Sequence, residues 1–410
     1  MANSHDAMFR GVLEGNKYDP TPGLTDEEIR RRAEAIREGK DVDLTNTQVG
    51  YDGEEVKARQ NWLAQKKPHV YKKMMQYPEK LARGEGIPII QFQYDYLCNF
   101  DCEHCCIDKF YVPKSWEKAS GRRKFELEDV RRLSKEADEY GLANFVITGG
   151  EPLLLKEFDQ LVEAIDPDKF FIACDSNAWF LDREKVRHLK SIGIDKMQLS
   201  LDGVDAESHD TFRRAPGSWE RVMKAIDACK EEDMHVILST VIWKDRIYTD
   251  EWRNFLEFAK KKEIGTYVVF AKPVGAFEGV TEQMLTEKDI FTHMTPSYGR
   301  DIGCIAVKRM VSMSRYGDLM PCPYQHVALG NFFEEPLAEI LDRSLNIKWF
   351  DPKKNMPCIC GVDKGFIANV ISPTYGDAEV PVRYDKIFTG DDFIDKGNTG
   401  TVDPKSGCGK

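Results

Sequence analysis

The chain has no apolar run approaching the roughly 18 residues that a membrane-crossing helix needs, so no membrane association is expected. Internal repeats and low-complexity tracts are also missing, which sets aside solenoid and collagen-like architectures. An excess of basic charge is lacking too. The formal net charge of −11 argues against broad phosphate-backbone binding, and no nucleic-acid partner is expected. The first residues, MANSHDAMFRGVLEGNKYDP, do not have the basic-then-apolar layout of a secretory signal. Arg30 to Arg32 are followed by AEAIREGK, unlike a twin-arginine export signal. A cytoplasmic location is the expectation. What the sequence does have is crowded cysteine: Cys98, Cys102, Cys105 and Cys106 fall within nine residues of a 410-residue chain that holds eleven in all. In a reducing compartment, such clusters bind metal or perform redox chemistry more often than they form disulfides.

With 41% hydrophobic and 31% charged residues, the balance supports a sizeable core, and the length allows two or three domains or one large barrel with appendages. Residues 1–85 are polar with helical periodicity; Thr25 and Glu28 form a capping-box pair before IRRRAEAIREGK. They read as a helical N-terminal extension packed on the main domain, with a recognition arm as the alternative. Over 86–294, short apolar runs (IPIIQFQ, NFVIT, KFFIAC, KMQLSL, HVILSTV, TYVVFA) alternate with amphipathic helical stretches such as FELEDVRRLSKEADEY. Six strands with intervening helices imply an α/β fold with right-handed crossovers and a parallel sheet, either an open barrel or a doubly wound sheet. In both, chemistry belongs at the C-terminal strand ends. Residues 295–371 break the alternation and carry Cys304, Cys322, Cys358 and Cys360. SRYGDLMPCPY there suggests a hairpin around Gly317 and Asp318. Residues 372–410, rich in Gly, Pro and Asp, read as an irregular tail.

Three thiolates on one tight loop, Cys98-x3-Cys102-x2-Cys105, can converge on one face of an inorganic cluster, and thiolates suit iron–sulfur centres. Zinc is the competing ligand; it wants four tetrahedral donors, with Cys106 or His104 cramped against Cys105 as the fourth. This cysteine motif after a first strand, followed after the second by TGGEP, resembles the radical S-adenosylmethionine (radical SAM) superfamily. The resemblance runs over about 88–290. It implies a partial (β/α)6 TIM-like barrel and a [4Fe–4S] cluster held by Cys98, Cys102 and Cys105. One iron is then left open for the amino and carboxylate groups of S-adenosylmethionine. It also implies reductive cleavage of that cofactor to a 5′-deoxyadenosyl radical that abstracts hydrogen from substrate.

Carried over residue by residue, Gly149, Gly150, Glu151 and Pro152 resemble the motif that receives the methionine amino group, glycine allowing close backbone approach. Ser176 and Asn177 resemble the turn that contacts ribose or carboxylate, with Ala178 where relatives have glycine. Ser200 and Asp202 resemble a Ser-x-Asp-Gly strand end facing the site, and Asp202 is also a candidate catalytic group. Arg213 aligns with an arginine that pairs with the methionine carboxylate, a role its fork suits. His104 would face adenine through its backbone rather than act as a base.

Cys304, Cys322, Cys358 and Cys360 resemble the start of the auxiliary cluster domains known as SPASM or, in shorter form, twitch. No later C-x2-C-x5-C-x3-C run follows. The set therefore fits the twitch form with one auxiliary [4Fe–4S] cluster, with unrelated thiols or zinc as alternatives. Cys106, Cys174 and Cys229 read as packing thiols. Cys408 is a bystander, a substitute cluster ligand or a hydrogen donor. An auxiliary cluster favours net oxidation of a peptide or small natural product, with epimerisation through a cysteine donor as runner-up. An iron–sulfur electron carrier or redox sensor that makes no radical is the alternative of another class. The resemblance implies flavodoxin or ferredoxin as electron donor.

Overall fold

The computed structural model describes residues 53–83, 85, 87–110, 121–286, 288–290, 304–350 and 358–394. The expected capping box at Thr25 and Cys408 lie outside the described residues.

Six parallel strands form the body: β1 (Ile89–Asp95), β2 (Asn144–Gly149), β3 (Phe171–Ser176), β4 (Lys196–Ser200), β5 (His235–Ile242) and β6 (Gly265–Phe270). They lie side by side in sequence order, as a partial (β/α)6 barrel requires. The two-residue period sorts their side chains. Ile90, Phe92, Met197 and Leu199 are wholly buried in the layer beneath the helices, while Gln91, Gln93, Gln198 and Ser200 line the interior. Between the strands run helices such as Leu127–Tyr140 and Ser218–Glu231. The first shows why its span is fixed. Glu126 and Asp129 form a capping box, Val130, Leu133 and Ala137 turn one face inward, and Gly141 ends it at φ 98°.

The helices Gly53–Lys66 and Pro68–Arg83 are fastened to the strand-start end of the barrel. The Lys67 Nζ donates to Asp195 Oδ2 at 2.5 Å and to the Phe170 carbonyl; Lys73 Nζ donates to Asp138 at 2.8 Å and to the Lys169 carbonyl. Two largely buried lysines thus anchor an extension whose composition reads as solvated.

The segment carrying Cys304, Cys322, Cys358 and Cys360 is less separate than its sequence suggests. Strand β7 (Met310–Met313) pairs in parallel with β1, and β8 (Asp318–Met320) folds back antiparallel on it, extending the barrel sheet. Gly317, at φ 82°, makes the hairpin turn expected there. In the tail, Val382–Arg383 pairs with Val327–Ala328, and Phe388 is buried in the core. The described part of the tail, residues 372–394, is thus tied down.

Candidate active site

The cysteine loop leaves β1 at Asp95 and is held against the end of β2 by backbone. Gly150 N donates to the Asp95 carbonyl at 2.9 Å, and Glu151 N to the Leu97 carbonyl at 2.8 Å. A Cβ on Gly149 would stand 2.1 Å from the Asp95 oxygen, and one on Gly150 2.1 Å from the Leu97 oxygen. Both glycines also line the cavity. Glycine is demanded here by the close approach of the cysteine loop.

Glu151 joins two of the sequence motifs. It is 2% exposed. Its Oε1 accepts from Ser176 Oγ at 2.8 Å and Leu153 N at 3.2 Å, and its Oε2 from Asn177 N at 2.7 Å. Burial raises its pKa to about 7 against the pull of these donors. The Ser176 hydroxyl is therefore engaged within the protein, and it also accepts from Ala178 N. Asn177 Nδ2 reaches back to Asn99 Oδ1 at 2.8 Å, tying this turn to the cysteine loop. Ala178 has φ 65°, the left-handed conformation that explains why relatives place glycine there.

Asp202, expected as a possible catalytic group, is held by an ion pair and a backbone amide. Its Oδ2 accepts from Arg213 Nε at 2.6 Å and Nη2 at 2.5 Å, while Oδ1 accepts from Val241 N at 2.7 Å. Although burial opposes ionisation, the Arg213 guanidinium holds this carboxyl well below the usual range, so it is a poor base. Arg213 Nη1 lies 3.9 Å from Cys102 Sγ, facing the cavity. His104 stacks on Phe212 at 4.5 Å, and Phe212 on Trp243 at 5.0 Å. Burial keeps the His104 imidazole neutral, with a pKa of about 3. Ser200 lines the cavity at the end of β4.

All of this opens on one cavity of about 840 Å³. Cys98, Cys102 and Cys105 line it, and so do Cys304, Cys322, Cys358 and Cys360. In the second set, Cys358 and Cys360 have their sulfurs 3.6 Å apart. Two sets separated by some two hundred residues thus share one chamber.

Residues 96–259 match the family model of the radical SAM superfamily, and residues 304–361 match that of an iron–sulfur cluster-binding domain, SPASM. The chain belongs to the radical SAM superfamily. Among curated proteins it is 20% identical to an AdoMet-dependent heme synthase of Nitratidesulfovibrio vulgaris, over 67% of this chain and 83% of that protein. It is 30% identical to a GTP 3′,8-cyclase of Clostridium botulinum, over 47% of this chain and 59% of that one. Streptococcus suis SuiB bound to S-adenosylmethionine is a similar solved structure, with 18% identity, a TM-score of 0.47 and coverage of 68% and 70%. A [4Fe–4S] cluster and S-adenosylmethionine are the cofactors of the radical SAM domain, and auxiliary iron–sulfur clusters those of SPASM.

The thiols suit such groups. Burial pushes Cys98 and Cys304 up to about 11, and raises Cys102 and Cys105 as well. Buried sulfurs whose charge the protein leaves largely uncompensated gain most from a bound metal cluster. Read from the sequence, the second set fits the twitch form; the match is to SPASM and takes in all four cysteines.

Of the remaining thiols, Cys174 and Cys229 are fully buried in the core. Cys106 packs against the core as expected but also lines the chamber. Two residues of this radical SAM site were not legible beforehand. Lys272, buried just past β6, donates to the Phe270 carbonyl at 2.6 Å and stands 3.9 Å from the Tyr324 ring. Its charge favours the thiolates of Cys358 and Cys360. Neither Lys272 nor Tyr324 sits in a motif; the one available signal for Lys272 was its place at a strand end.

Proposed function

We propose that this radical SAM enzyme takes a hydrogen atom from a peptide or small-molecule substrate and oxidises it by two electrons overall. The shared chamber is the observation that supports this reading: the first cysteine set and the four SPASM-region cysteines line one cavity. When bound, the clusters and S-adenosylmethionine supply one-electron cleavage of the sulfonium, a 5′-deoxyadenosyl radical and an acceptor for the second substrate electron. The chain's part is to hold and orient. Cys98, Cys102 and Cys105 give three sulfurs, leaving one iron for the methionine end of the cofactor. Arg213, its other nitrogens locked on Asp202, offers Nη1 to the methionine carboxylate. Gly149, Gly150, Glu151, Ser176, Asn177 and Ser200 frame the remainder, and Pro152, buried, follows Glu151 in the chain. Cys304, Cys322, Cys358 and Cys360 provide four ligands, enough to close one auxiliary four-iron cluster. Similarity to a heme synthase over most of its length supports a small-molecule substrate. A flavodoxin or ferredoxin would deliver the first electron.

The test is mass spectrometry of candidate substrates incubated with anaerobically reconstituted enzyme and reductant. Oxidation is expected as a loss of two hydrogens alongside 5′-deoxyadenosine. No change in mass, with deuterium gained from solvent, would replace oxidation by epimerisation. The Cys106 thiol, which lines the chamber, keeps that second reading concrete.

A further inference from the structure

Beneath Gly149 and Ser200 the barrel interior is polar where a packed barrel would be filled with branched apolar side chains. Gln93 stands opposite Thr148, and Asp175 opposite Gln198. Gln91, 9% exposed, donates from Nε2 to Asp175 Oδ2 at 3.2 Å. A carboxylate can only accept, so this bond fixes the amide orientation and leaves Gln91 Oε1 as the acceptor still to be met. Gln91 Oε1 and Asp175 Oδ1 are both buried and have no hydrogen-bond partner among the described residues; the same holds for Asn144 Oδ1. Gln91, Asn144 and Asp175 all line the chamber. Buried acceptors without donors are rare in folded proteins and ask for an explanation.

We propose that Gln91 and Asp175, with Asn144 at the strand starts, form the substrate subsite, and that it takes a nitrogen-bound donor group, a primary amide or an ammonium. This rests on the reading of the cavity as the reaction chamber. Two acceptors on one bonded pair of side chains suit a group that brings at least two protons. A hydroxyl supplies one; an amide NH2 supplies two and an ammonium three. Charge alone does not select the ligand, because Lys196 lines the same space and already counters Asp175. Thr148 is also near enough to this carboxylate to favour its charge. The flanking Val146, Ala173 and Ile237 give the subsite an apolar wall for the carbon chain of the substrate.

Three probes of equal chain length test this: butyramide, n-butylamine and 1-butanol, titrated by saturation-transfer NMR into anaerobic holoenzyme holding S-adenosylmethionine. Butyramide or butylamine is expected to bind at least about tenfold more tightly than butanol, the preferred one telling amide from ammonium. Gln91→Met, close in shape but without acceptors, is expected to reduce that probe to the butanol level. In that variant the change in the reduced-cluster EPR signal on adding S-adenosylmethionine is expected to persist. Equal binding of all three probes by the wild type overturns the proposal without any variant, as does unchanged discrimination in Gln91→Met. If S-adenosylmethionine fails to alter the wild-type signal, it is the radical reading that fails.

Discussion

Glu151, singled out in the sequence as part of TGGEP, holds the turn after β3: its oxygens accept from Ser176 and Asn177. Spacing reveals that two motifs share a site; it does not reveal that they bond to each other. Arg213 and Asp202 were each singled out in the sequence, but their ion pair was not, because it depends on where the strand end and the following helix meet. The Glu151 environment has a measurable consequence. Its folded pKa, about 7, lies above its ordinary 4.5, so the folded state holds the proton more tightly than the unfolded state. The associated stabilisation is complete below about pH 4.5 and is lost as pH rises through about 7. Anaerobic melts of reconstituted protein should show wild type losing ground to Glu151→Gln between pH 5 and 8. Parallel pH profiles would refute this.

At the scale of elements, strands and helices were readable because their periods differ and each crossover supplies its own apolar face. The junction of β7 with β1 was not, since a four-residue strand, Met310–Met313, pairs with a partner more than two hundred residues earlier. Ala178 was the weakest sequence match, and the structure gives it the backbone conformation that the glycine of relatives would adopt. The contact between the TGGEP backbone and the cysteine loop makes a sharp prediction. A methyl group at Gly150 would enter the Leu97 carbonyl and force the loop away. Gly150→Ala, like Cys98→Ala, should therefore lower the iron content of reconstituted protein by about four atoms per chain, from about eight, if each site holds a four-iron cluster. Iron unchanged in Gly150→Ala would mean that the loop tolerates separation from β2.

At the scale of the whole molecule, the sequence showed two cysteine sets but not their common chamber, because no local pattern records which walls of a barrel face each other. The fold brings them together by adding β7 and β8 to the open side of the barrel sheet, while the anchored helices Gly53–Lys66 and Pro68–Arg83 cover the strand starts. Among the described residues no helix is long and apolar enough to cross a membrane. The claim beneath all of this is an iron left without a protein ligand at the Cys98, Cys102 and Cys105 site. It is tested most directly by EPR of the reduced Cys304→Ala/Cys322→Ala protein, in which that cluster is the one observed, before and after adding S-adenosylmethionine. The expected result is a clear change in the signal followed by formation of 5′-deoxyadenosine. An identical signal with no nucleoside formed would contradict it.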